Sequence, residues 1–314
     1  MVTVPSRPQF APPPDLSSNP STEVFKKCEI NKIRLCNLSI QRNRSLCVRN
    51  LLKAEKKMKT LEYSFQDWTI TTTKSHILPS KCSCHEDIQC TVCRYSNELT
   101  LPSLPDMIFS DNILKIEHKD LKSGIFFNAL NALKKVNDKQ DDIKVAISKA
   151  WSRANVSASL EVTHEVSNPF DWTFTTDYQG TLFGDGLQIA PTDKSIDLNK
   201  LKEKETILFF DEIHLYEDEL ADHGCSSCTV KIRVMPSGFF VLHRLYLRVD
   251  EVLIRINDTR LYYERGNNYM IREYTSRESK TEDLTVPRVF WGNPNEIVNY
   301  LPVIVSKCDE LIFS

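Results

Sequence analysis

The run Thr229–Tyr274, TVKIRVMPSGFFVLHRLYLRVDEVLIRINDTRLYYERGNNYMIREY, decides the fold. Val230, Ile232 and Val234 alternate with Lys231, Arg233 and Met235, the period-two pattern of a half-buried strand. Pro236-Ser237-Gly238 then breaks the run, as turn residues do. Phe239–Val249 is rich in aromatic and branched side chains, which suit a pleated sheet. Asp250-Glu251 takes the next turn; beyond it Val252, Ile254 and Ile256 face one way and Leu253 and Arg255 the other. Asn257-Asp258-Thr259 reads as another turn before Leu261-Tyr262-Tyr263, and Tyr269–Tyr274 as the last strand. The expectation is an antiparallel meander with an apolar face and a face bearing Lys231, Arg233, His243, Arg244, Arg255, Arg260 and Arg272. A solvated sheet face is the plain reading of that charge. A groove for a carboxylate-bearing partner is the sharper one, because guanidinium forks match carboxylates.

The surrounding chain has 314 residues, of which 41% are hydrophobic and 26% charged, enough to bury a sizeable core. Net charge is −2, which gives no electrostatic reason to expect nucleic acid. The charge is uneven: residues 1–60 carry 12 Lys and Arg against 4 Asp and Glu. Residues 1–61 are therefore expected to be a disordered or weakly structured basic extension, Pro- and Ser-rich at its start, with Leu51–Leu61 as a short basic helix or an unstructured leader. Residues 62–314 are expected to form one α+β domain, with antiparallel strand-rich central sheets and a few flanking helices. No apolar run reaches the ~18–20 residues of a membrane helix, and the first twenty residues lack the pattern of a signal peptide. A cytoplasmic location and reduced cysteines are the resulting expectation.

Outside the meander, strands are expected at Phe65–Ile70, Met107–Phe109, Ile113–Ile116, Ile125–Phe127, Asp171–Thr176 and Ile207–Asp218. Asn128 or Asn131 suits a helix cap, and Ile143, Ile147 and Trp151 form an apolar stripe on a helix from Asp141. Residues 153–168 read as a loop, Leu198–Lys204 and Asn293–Glu296 as short helical segments, and Thr275–Lys280 as a polar loop.

Chemistry-bearing motifs are few. Cys82, Cys84, Cys90 and Cys93 lie within a dozen residues, as Cys-x-Cys and Cys-x-x-Cys pairs. Four thiolates can surround zinc, which makes a zinc-stabilised or redox-responsive adaptor a competing function. The five-residue connection is short for such a site, and a surface insertion with free thiols is the plain alternative. Cys225-Ser226-Ser227-Cys228 lacks the βαβ surroundings of a redox motif; its residual chemistry is a thiol pair under oxidation. Glu217, Asp218, Glu219, Asp222 and His223 match no standard metal loop and read as an acidic turn. No nucleophile elbow, zincin helix or phosphate loop occurs, so neither an enzyme nor a small-molecule substrate is expected.

KIRVMPSGFF (Lys231–Phe240), INDTRLYYE (Ile256–Glu264) and YMIREYTSRESK (Tyr269–Lys280) resemble signatures of the Tip-forty-one-like regulators of the TOR signalling pathway. LPSLPDMIFSDN (Leu101–Asn112), NPFDWTFTTDYQGTL (Asn168–Leu182), FFDEIHLYEDELADHG (Phe209–Gly224), NEIVNYLP (Asn295–Pro302) and CDELIF (Cys308–Phe313) agree in chain order, so the resemblance spans residues 64–314. It implies a non-enzymatic protein that grips the catalytic subunit of type 2A protein phosphatases and its extended C-terminal tail, inhibiting or sequestering it. By position in the matching motifs, Ile256 and Tyr274 are implied near that tail, Arg255, Arg260 and Arg272 as polar contacts, and Asn131 and Ile196 against the phosphatase body. At Asn131 the family more often has an acid. Glu251 stands where the family tends to have the glycine of an Asp-Gly hairpin turn, so a looser hairpin is expected there. The cysteine stretch departs from the family pattern.

Overall fold

The structure is a computed structural model, described here for residues 58–84, 89–99, 101, 103–136 and 172–313. In chain order it contains β1 (Lys59–Phe65), β2 (Trp68–Lys74), α1 (Thr91–Glu98), β3 (Met107–Ile108), β4 (Ile113–His118), β5 (Gly124–Asn128), α2 (Ala129–Leu133), β6 (Thr181–Phe183), β7 (Leu187–Pro191), α3 (Leu198–Lys202) and β8 (Phe209–Asp218). Then come β9 (Gly224–Met235), β10 (Gly238–Val249), β11 (Leu253–Glu264), β12 (Tyr269–Lys280), α4 (Pro294–Ile297) and β13 (Val303–Phe313). Strands dominate, and the α+β class holds. One sheet has five strands in the order β1-β2-β4-β5-β6; the other has eight, β3-β8-β9-β10-β11-β12-β13-β7. The paired strands in both are antiparallel.

Each sheet buries one face against the other. Trp68, Ile70, Leu114, Ile116, Ile125 and Phe127 from the smaller sheet meet Val230, Ile232, Val234, Phe239, Val241, Leu245, Leu261, Tyr263 and Met270 from the larger. Trp68 packs edge-on against Phe239, Tyr263 and Phe313, at 5.8, 5.5 and 4.8 Å between ring centroids. Such aromatic contacts add to plain area burial. The described residues form one compact unit. Its first strand starts at Lys59, so the expected boundary at residue 62 falls inside β1, and no helix extends through Leu61. The expected strand Phe65–Ile70 is instead a hairpin. Phe65 pairs with Trp68, and Gln66 takes a φ of +52° in the two-residue turn.

The meander is longer and less interrupted than its polar residues suggest. Asn257-Asp258-Thr259 is no turn but the middle of β11. Thr275–Lys280 is no loop but the second half of β12, paired with β11 on one side and, from Thr275 to Arg277, with β13 on the other. Turn-forming residues serve in a strand when tertiary partners satisfy their side chains, and Asn257, Asp258 and Thr259 each have such a partner. The single basic face also divides. Cross-strand register puts His243, Arg255 and Arg272 on the core side, and Lys231, Arg233, Arg244 and Arg260 on the reverse. That reverse side is not bare. Tyr246, Ile254 and Ile256 lie under Leu284, Val286, Trp291, Ile297, Val298 and Leu301, while Tyr262 and Ile271 lie under Ile196 and Leu201.

Several expectations hold closely. β3, β4, β5, β8, α3 and α4 form where the pattern places them. Asn128 caps α2 by accepting from the Asn131 N–H at 2.9 Å. The stripe Ile143–Trp151 and the loop 153–168 lie outside the described residues. No helix among the described residues is long and apolar enough to cross a membrane.

Candidate functional site

The site is built on a segment expected as a strand. Trp172–Thr176 has the alternation of one, but among the described residues it forms a strand bridge only at Thr176, to Val136. Side chains replace the missing ladder. Arg255, Asn257 and Thr259 project from one face of β11 at two-residue spacing. Arg255 donates to Thr175 Oγ1 at 3.3 Å, Asn257 Nδ2 to the Thr176 carbonyl at 2.9 Å, and Thr259 Oγ1 to the Tyr178 carbonyl at 3.3 Å. The segment thus crosses the inner face of the larger sheet on three polar rungs. This is why polar residues stand mid-strand: buried carbonyls need donors.

The same segment reaches the smaller sheet. The Tyr178 hydroxyl donates to the Phe126 carbonyl at 3.0 Å, and burial raises its pKa. Gly180 has φ +86°, and a Cβ there would lie 2.6 Å from the Ile125 side chain, so the close approach and the backbone both require glycine. Asn131 Nδ2 donates to Thr181 Oγ1 at 2.8 Å.

The implied partner-binding residues therefore fall into two groups. Asn131, Arg255, Arg272 and Tyr274 surround the crossing segment or share its sheet face. Arg255 pairs across strands with Glu278 at 2.5 Å and Arg272 with Asp309 at 2.8 Å. Tyr274 lies opposite Lys307 in register; burial, with Asp177 nearby, pushes its hydroxyl up to about 12. Ile196, Ile256 and Arg260 occupy the reverse side. Ile256 is 0% exposed under the C-terminal segment, and the Ile196 N–H donates to Glu273 Oε1 at 2.7 Å. Arg260 lies 3.5 Å from Asp258, which Arg244 holds through two bonds of 2.7 and 2.8 Å. Sequence reasoning missed Asn257, Thr259, Thr175 and Thr176. Their signal was present, as polar residues spaced by two within an otherwise apolar strand.

One accessible feature adjoins this region. β7 pairs with Asp309–Phe313 only, and among the described residues no strand pairs with the outer edge of Val303–Lys307. Val303, Ile304 and Val305 are 46%, 64% and 37% exposed. An open edge with apolar side chains is a template for an added strand.

The remaining motifs resolve as follows. Cys225 and Cys228 point to opposite faces of β9: Cys225 packs with the Ile256 cluster and Cys228 is buried in the main core, so they are no thiol pair. Cys228 Sγ lies 3.1 Å from His243 Nε2, a pairing seen in nucleophilic sites. Burial here raises the thiol pKa and lowers that of His243 to about 4, so both are neutral and closed to a substrate. Asp218, in the acidic turn, is buried and accepts backbone N–H groups of Asp106 and Leu220 at 2.9 and 2.7 Å, which is structural work. Cys82, Cys84, Cys90 and Cys93 do come together, with their Sγ atoms all within 4.8 Å of one another.

A model of the TIP41-like family matches residues 107–285. The TIP41-like protein of Homo sapiens is 49% identical over 255 residues, covering 80% of this chain and 89% of the relative. The type 2A phosphatase activator TIP41 of Saccharomyces cerevisiae is 35% identical, covering 80% of this chain and 74% of the relative. The protein of that name from Schizosaccharomyces pombe is 34% identical, covering 80% and 96%.

Proposed function

Because the chain belongs to the TIP41-like family, we propose that it is a non-enzymatic regulator of type 2A protein phosphatases that binds their catalytic subunit. The observation that carries this reading is the likeness along most of the chain to yeast proteins named for that phosphatase. The Cys228–His243 pair is buried and sealed from any substrate.

In this reading the extended tail of the catalytic subunit adds to the open edge of β13, beside Tyr274 and Lys307. A terminal carboxylate then competes with Glu278 for Arg255, or with Asp309 for Arg272, so binding exchanges ion pairs instead of filling vacant ones. Asn131, at the far end of the crossing segment, meets the phosphatase body. Ile196 and Ile256 act by holding the covering segments in place, and Arg260 by supporting Asp258. The regulator works in the cytoplasm within TOR signalling and keeps the catalytic subunit from other assemblies. The name of the yeast relatives makes activation the competing outcome.

The test is capture of a type 2A catalytic subunit by the purified full chain, with Ile304→Asp on the open edge and Arg260→Glu on the reverse face. Capture at micromolar concentration, weakened at least about tenfold by Ile304→Asp alone, supports the edge as the docking site (about 1.4 kcal/mol). Equal capture by both variants moves the site elsewhere on the chain. Absence of capture by the wild type overturns the reading. A phosphatase assay on the captured complex gives the sign: lower turnover means inhibition, unchanged turnover means sequestration alone, and higher turnover means activation.

A further inference from the structure

We propose that Cys82, Cys84, Cys90 and Cys93 form a structural zinc site, a clasp closing the segment between β2 and α1. The Cys82–Cys93, Cys84–Cys93 and Cys82–Cys90 sulfurs are 3.3, 3.4 and 3.7 Å apart, and all four Sγ atoms lie within 4.8 Å of one another. A tetrahedron with metal–sulfur bonds of ~2.3 Å has sulfur–sulfur edges of about 3.8 Å. These three edges need at most about half an ångström of expansion to reach it, and the 4.8 Å limit keeps the remaining edges within about 1 Å of it. Four thiols gathered without an ion gain little, since sulfur is a weak hydrogen-bond partner. A common cation explains the convergence.

The backbone supports the same assignment. The Cys84 N–H donates to Cys82 Sγ at 3.5 Å, and the Cys90 N–H to Cys84 Sγ at 3.2 Å. Backbone donors aimed at sulfur stabilise thiolate, the ligating form. The second bond also places Cys90, at the start of α1, against Cys84.

Both ends of the clasp are tied to the core. The Leu78 N–H donates to the Ile108 carbonyl at 2.6 Å. Tyr95 of α1 is fully buried, with its hydroxyl on the Ser110 carbonyl at 3.2 Å. The four sulfurs are thus delivered from two anchored points, which lowers the ordering cost of binding.

The donor set selects the metal. Four sulfurs around one centre suit zinc or iron, and they leave no position for water or substrate, so the site is structural rather than catalytic. Sulfurs this close enclose one ion, not a multi-iron cluster. On binding, four S–H bonds give way to four Zn–S bonds, and up to four protons pass to solvent. The site is independent of the phosphatase reading.

The experiment measures metal on the full chain purified under reducing conditions, supplied with zinc and then dialysed. The expected result is about one zinc per chain, removed by a strong chelator and missing from Cys84→Ser and Cys93→Ser. Cys225→Ser, outside the cluster, keeps its zinc. Cobalt in place of zinc gives the visible absorption of a tetrahedral thiolate centre. Peptide mapping after alkylation shows the four cysteines protected with zinc and modified after chelation. A metal-free protein, zinc retained in both cluster variants, stoichiometric iron, or disulfides within the cluster under these reducing conditions each overturns the proposal.

Discussion

Glu251 shows how one residue carries a cost that its neighbours partly offset. It closes the β10–β11 hairpin with φ +60°, a region that costs an L-residue roughly 1–2 kcal/mol. The hairpin is nonetheless closed rather than loose, since the Val252 N–H reaches the Val249 carbonyl at 3.0 Å and Glu251 pairs with Arg288 at 2.8 Å. That pair is solvent-exposed and contributes little. Glu251→Gly should therefore stabilise the protein by about 0.5–1 kcal/mol in urea unfolding; a loss would show that the pair outweighs the backbone strain. His243 acts at the same scale through its proton. Stacked on Phe127 and fully buried, it has its pKa lowered by burial from 6.5 to about 4. Between those values the unfolded chain takes up a proton that the folded chain refuses. Stability present above the unfolded value is therefore lost as pH falls toward the folded one, by about 3 kcal/mol in all. Unfolding free energies at about pH 7 and about pH 5 should differ more for the wild type than for His243→Phe; equal differences would assign the acid sensitivity to other groups.

At the scale of elements, β11 is the strand on which most of the molecule depends. One face carries the rungs for the crossing segment. The other carries Asp258, which is 0% exposed and bonded twice by Arg244. Arg244 also donates to the Pro294 carbonyl and to Asn295 Oδ1, at 3.0 and 2.9 Å, and so fixes α4 over Ile256. Removing the carboxylate leaves a buried guanidinium uncompensated. Asp258→Ala should cost about 3–5 kcal/mol in chemical denaturation, and the C-terminal cover should become protease-sensitive before the core unfolds. A loss under about 1 kcal/mol would mean that water reaches Arg244. β11 also shows where the sequence misleads. Asn-Asp-Thr has turn chemistry when read locally, and only the carbonyls of residues far along the chain make it strand chemistry. The alternation in β9 and the aromatic and branched side chains of β10 are local and were legible. The polar faces of β11 and β12 answer to distant segments, so their charge read as one solvated surface.

Across the whole molecule, antiparallel neighbours adjacent in sequence account for the larger sheet from β8 to β13, and this is why its class was readable from pattern alone. The two-sheet arrangement was not readable in the same way. It depends on which faces meet, and period two does not name a partner. The cysteine cluster was visible by spacing, whereas the convergence of its four sulfurs was not. The order of the larger sheet has a further consequence, in time rather than space. β7 is synthesised more than a hundred residues before β13, yet β13 is the strand that joins it to the rest of that sheet. A nascent chain that has not yet reached Val303 holds β7 without its partner and β12 with one side bare. Every earlier hairpin can zip as it emerges, but the sheet closes only with its final strand. Until then the bare side of β12 is exposed to any strand that arrives first, so misassembly is most probable in the interval before β13 emerges.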